Sequence, residues 1–129
     1  MRLVALIAFL FALVPPAEAA PDWRQSREYE ILLSSYDIQP ETMHFRAGEP
    51  LRLRLINNSN ETHVFAARQF FGSSDVRPRE RKLLSGGAVK VAPGETLEIV
   101  LVPRSGRYRA GSTSLFSRLM GMRARILVD

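Results

Sequence analysis

The 129 residues carry 18 Lys and Arg against 13 Asp and Glu, a formal net charge of +5, and no cysteine. No disulfide can brace the fold, and no thiolate is available to a metal. Arginine greatly outnumbers lysine and is scattered along the chain without a nucleic-acid-binding motif, so the basic balance points to solubility or an anionic partner, with no nucleic acid as partner.

Residues 1–20 read as an export signal. Arg2 gives a positive start, Leu3 to Val14 is nearly unbroken apolar sequence, and Pro15-Pro16-Ala17-Glu18-Ala19-Ala20 supplies an Ala-x-Ala cleavage pattern. The apolar run is shorter than the roughly 20 residues a spanning helix wants, and there is no cysteine to acylate. Residues 21–129 have the size of one domain. The expectation is a periplasmic protein, secreted through its signal, with no stable membrane span after cleavage.

From Tyr29 the pattern is that of short strands. Tyr29 to Leu33 starts the first, which runs to about Tyr36 before Gln39-Pro40 breaks it. Met43 and Phe45 alternate with Thr42, His44 and Arg46, which turns Met43 and Phe45 inward and His44 to solvent. Leu51-Arg52-Leu53-Arg54-Leu55 has the clearest period of two, buried on one side and wet on the other. Asn57-Asn58-Ser59-Asn60 is turn chemistry, and the sequon-like Asn57-Asn58-Ser59 and Asn60-Glu61-Thr62 read as turn residues. Thr62 to Phe65 restarts as a strand.

Arg68 to Leu84 is less regular. Gln69-Phe70-Phe71 is expected to cover one end of the core, and Asp75 to Lys82 to form a charged surface loop with one short helical turn. Val89 to Val91 and then Leu97, Ile99 and Leu101 mark two further strands, separated by the Ala92-Pro93-Gly94-Glu95 turn. Gly106 opens a strand through Ala110. Met122 to Val128 is the last, with Ala124, Ile126 and Val128 on one face and Arg123, Arg125 and Leu127 on the other. Seven to eight short strands without a long helix predict an all-β Greek-key sandwich over residues 21–129.

Five segments in order resemble the cupredoxin family, closest to its plastocyanin- and azurin-like periplasmic domains. They are Met43 to Glu49, Leu55-Ile56-Asn57-Asn58 followed by His63-Val64-Phe65, Val91 to Thr96, Gly106-Arg107-Tyr108, and Gly121-Met122. The resemblance covers about Tyr29 to Asp129. It implies copper as the cofactor, held by two histidines, a cysteine and a distant methionine. By position the first histidine falls on His63 and the methionine on Met122. The cysteine position falls on Ser112 and the second histidine position on Ser117.

Those two replacements decide against blue-copper electron transfer. Such a centre depends on a short copper–thiolate bond, whereas a neutral serine hydroxyl is a poor donor to soft Cu(I). Thioether and imidazole do suit Cu(I), and Met120 and Met122 share a face if the strand is regular there, so His63, Met122 and Met120 are the candidate metal ligands. Ser112, Ser114 and Ser117 do not make a nucleophile. Only His63 could serve them as a base, and nothing orients it, so the chain is not expected to be an enzyme. Two readings follow. One is an exported protein that binds or carries copper through a non-blue His/Met site. The alternative is a metal-free module of the same fold whose basic surface binds a periplasmic protein partner.

Overall fold

The computed structural model describes residues 20–113 and 122–129. Leu51, Leu53 and Leu55 of β4 (Leu51–Asn57) are buried, and Arg52 and Arg54 between them are half-exposed, as the period of two requires. β4 pairs in parallel with β1 (Arg27–Leu33) and antiparallel with β9 (Thr96–Val102). Two short strands complete this sheet: β2 (Ile38–Gln39) beside β1, and β6 (Asp75–Val76) beside β9.

The second sheet holds, from one edge to the other, β3 (Thr42–Phe45), β11 (Arg123–Val128), β10 (Gly106–Gly111), β5 (His63–Ala66), β8 (Ala88–Val91) and β7 (Leu84–Ser85). β3 and β11 run parallel and the other neighbours antiparallel. Met43, Phe45, Phe65, Val89, Val91, Ala124, Ile126 and Val128 point into the sandwich and join the β4 leucines in one buried cluster. The expected all-β sandwich is therefore what forms. Eight strands have four or more residues, and β2, β6 and β7 are two-residue additions. The expected first strand is shorter than its sequence suggested. It ends at Leu33, where Ser34 N–H donates to the Asp37 carbonyl at 3.0 Å and turns the chain back into β2. Residues 1–19 of the expected signal, and residues 114–121 with Ser117 and Met120, lie outside the described residues.

One end of the sandwich is closed by aromatic side chains. The short helix α1 (Arg68–Ser73) brings Phe70 and Phe71 inward, as the sequence suggested. Phe70 packs 5.5 Å from the Tyr108 ring and 6.0 Å from that of Phe45, and Tyr29 meets Phe45 edge-on at 4.9 Å. Tyr108 folds back to donate its hydroxyl to the Arg104 carbonyl at 2.9 Å. This explains the spacing Gly106-Arg107-Tyr108: a Cβ on residue 106 would lie 2.8 Å from that hydroxyl, and the backbone there has φ +155°.

The segment from Asp75 to Lys82 has the expected helical turn but is not only a surface loop. Asp75 and Val76 pair with Val102 and Leu101, and Pro78–Leu83 forms two 3₁₀ turns. Within them Glu80 is buried, its carboxylate accepting from Arg77 Nε at 2.7 Å and bonded again by Arg77 Nη2. Burial pushes the Glu80 carboxyl up, but the hydrogen bond and charge of Arg77, with help from Arg79, outweigh it and hold the group below its ordinary value. A folded-state pKa below the unfolded one contributes stability that is present above the unfolded carboxylate range and lost as pH falls through the lowered folded value. Replacing Arg77 by Met strands a buried carboxylate and should cost about 3 kcal/mol in urea unfolding at neutral pH. Arg77→Met/Glu80→Leu should recover most of that loss and remove this acid-range dependence. A double variant as unstable as the single one would show that packing, rather than the ion pair, dominates.

Candidate metal centre

The pole opposite the aromatic closure is organised by Asn57. It occupies the next inward position after Leu51, Leu53 and Leu55 and is 1% exposed, so the buried alternation of β4 ends on a polar side chain. Its amide is used fully. Nδ2 donates to the Glu61 carbonyl at 2.7 Å and the Val91 carbonyl at 3.0 Å, and Oδ1 accepts from Ser59 N–H at 3.0 Å and Ser59 Oγ at 2.7 Å. Its backbone ties in the next turn: Asn57 N–H donates to Glu95, and Gly94 N–H donates to Asn57, both at 3.0 Å. One residue thus fixes the loop of residues 58–62, the end of β8 and the Pro-Gly turn. That loop delivers His63.

The sheet register places three of the predicted site residues at this pole. His63 opens β5 and shares the inward face with Phe65. Gly111, the last residue of β10, pairs with both Ala66 of β5 and Arg123 of β11. Because β5 and β10 are antiparallel, the chain leaving Gly111 runs toward the start of β5. Ser112 follows Gly111 and Met122 precedes Arg123, and Ser112 N–H donates to the Met122 carbonyl at 3.3 Å. His63, Ser112 and Met122 are all buried, at 4%, 6% and 1% exposure. His44, by contrast, is exposed on β3 and is not at this pole.

His63 Nε2 is buried and has no hydrogen-bond partner among the described residues. A buried polar atom that stays unpaired costs about 1–3 kcal/mol. Among the described residues no group of three or more His, Cys, Asp or Glu side chains is placed to hold a metal. The pole therefore does not fit a blue-copper centre, which needs a thiolate and a second imidazole. Its described soft donors are one imidazole and one thioether.

A cleft of about 310 Å³ lies at the other pole, lined among others by Tyr29, His44, Phe45 and Leu51. It is a shallow opening over the aromatic end and includes none of His63, Ser112 or Met122.

Solved structures with the same arrangement of strands are cupredoxins. Auracyanin from Roseiflexus castenholzii superposes with a TM-score of 0.61 at 13% identity, over 81% of this chain and 98% of that one. Auracyanin A, a "blue" copper protein from Chloroflexus aurantiacus, gives 0.57 at 14% identity, over 81% and 99%. The chain has a cupredoxin-like fold. McoA multicopper oxidase from Aquifex aeolicus superposes at 0.65 and 18% identity, over 88% of this chain, which spans 32% of the oxidase. No protein-family model and no curated protein matches the sequence.

Within this cupredoxin-like frame, the residue that sequence reading undervalues is Asn57, read as turn chemistry and as part of a family-like segment but not as a buried anchor. The available signal was its place in the period of two, where an inward polar residue needs buried partners. Asn57→Ala should lower stability by about 3 kcal/mol, because it leaves two carbonyls and the Ser59 donors without their partner. It should also shift the His63 ring resonances in NMR spectra. A loss below about 1 kcal/mol with unchanged His63 resonances would mean that the backbone bonds at residues 57 and 94 hold the pole alone.

Proposed function

We propose that this cupredoxin-like domain is exported and holds a monovalent copper ion through His63 and Met122, with Met120 as a third donor. Its work is to carry or sequester the ion, with neither electron transfer nor catalysis. The observation that carries this reading is the buried imidazole of His63, whose Nε2 has no partner among the described residues and which lies at the same pole as the buried Met122. An imidazole and a thioether are donors that Cu(I) accepts readily. Ser112, standing beside Met122 where a blue-copper loop has its cysteine, argues against a redox role because its hydroxyl does not supply the thiolate.

Competitive titration of the purified protein with Cu(I) against a chromogenic chelator tests the reading. One equivalent should bind, and both His63→Ala and Met122→Leu should weaken binding by about tenfold or more, the loss expected when one of two or three soft donors is removed. Binding no tighter than to a nonspecific protein, or indifference to His63→Ala, would end the copper reading.

A further inference from the structure

The two outer faces of the sandwich treat their arginines in opposite ways. On the β1–β4–β9 sheet both outward arginines of the central strand β4 meet carboxylates. Arg54 Nη1 lies 3.1 Å from Glu28 and 3.0 Å from Glu30, and Arg52 Nη1 lies 3.1 Å from Glu98. The six-stranded sheet has no such pairing. Its outward positions are Arg107 and Arg109 on β10, Arg123 and Arg125 on β11, and Lys90 on β8, all exposed. None of the five makes an ion pair among the described residues, and no outward strand position of β3, β5, β8, β10 or β11 holds Asp or Glu. Arg109 stands directly opposite Arg125 in the register, a like-charge pair that destabilises a sheet. Between the cations run half-buried Val64 and Ala66 on β5 and Leu127 on β11.

We propose that this face docks a protein surface rich in carboxylates. The proposal is independent of whether His63 holds a metal. A sheet face with half-buried apolar side chains set among arginines has the composition of a protein–protein contact, where arginine is enriched and lysine depleted. The guanidinium fork grips a carboxylate through two hydrogen bonds. An anionic membrane is the less suitable occupant. Among the described residues the exposed large hydrophobic side chain is Tyr36, which is not on this sheet, so the described part of this face offers no apolar anchor to enter the lipid. The unrelieved Arg109–Arg125 pair is what a docking face looks like before its counter-charges arrive.

The test measures binding of the purified protein to a glutamate-rich peptide and, separately, to phosphatidylglycerol vesicles, each at low and high salt. Arg109→Glu/Arg125→Glu should weaken peptide binding by about tenfold and flatten its salt dependence. Lys82→Glu/Arg104→Glu makes the same change in net charge away from this face and should leave the affinity within about threefold. The single variant Arg109→Glu places opposite charges across the β10–β11 pair, so it should melt at a higher temperature than the parent while binding the peptide more weakly. Equal losses in the two double variants would reduce the effect to net charge and overturn the proposal. Tighter binding to vesicles than to peptide, or no peptide binding, would overturn it as well.

Discussion

Strand β4 has to bury Leu51, Leu53, Leu55 and Asn57 on one side while Arg52 and Arg54 stay at the surface on the other. A strand with that pattern is stable only at the centre of a sheet whose inner face is covered by a second apolar face. β1 and β9 satisfy the edges of β4, and the inward residues of β3, β5, β8 and β11 supply the cover. The outward arginines then need partners in register, and Glu28, Glu30 and Glu98 occur at the paired positions. Packing, pairing and charge thus all follow from one period-two segment. The same segment ends on Asn57, so the strand that organises the core also anchors the pole carrying His63.

The pole combines a cupredoxin-like frame with a serine, and no thiolate, at position 112. Asn57 fixes the loop before His63, and the β10–β11 pairing holds Ser112 beside Met122. Neither arrangement depends on a thiolate, so the fold persists with serine at position 112. What changes is the kind of ion the pole can attract. A cysteine there would favour copper in both oxidation states and bind it strongly. Under the copper proposal, an imidazole with a thioether would make a neutral site suited to Cu(I), without the short covalent bond a thiolate gives.

The strands were legible in the sequence because a period of two directly reports a half-buried sheet, as in Leu51 to Leu55 and Ala124 to Val128. That His63, Ser112 and Met122 lie at one end of the sandwich was legible because their order along the chain follows a cupredoxin-like frame, and the register brings them together there. The pairing of Glu80 with Arg77 was not legible. Pro78 and a run of charges say "surface" by composition, and only the docking of Asp75 and Val76 on β9 carries Glu80 inward. The basic face was hidden for a similar reason. Lys90, Arg107, Arg109, Arg123 and Arg125 come from three strands, and their alternation says only that each points outward. Which strands adjoin, and whether acids stand across from them, is decided by the sheet order.

The contrast between the two sheets therefore separates folding from function more clearly than composition does. Arg54 and Arg109 arise from the same local pattern, an arginine between inward apolar residues. Around Arg54 three carboxylates have been placed from two other strands, and the cation serves the fold. Opposite Arg109 the register puts another arginine, which weakens the β10–β11 pair at its centre. A fold can retain such a pair because its two strands also share six backbone-paired positions and a buried inner face. Folding alone does not require it, since a glutamate at either position would relieve the repulsion without touching the core. The cationic character of this face is thus better explained by something the protein meets than by anything it contains.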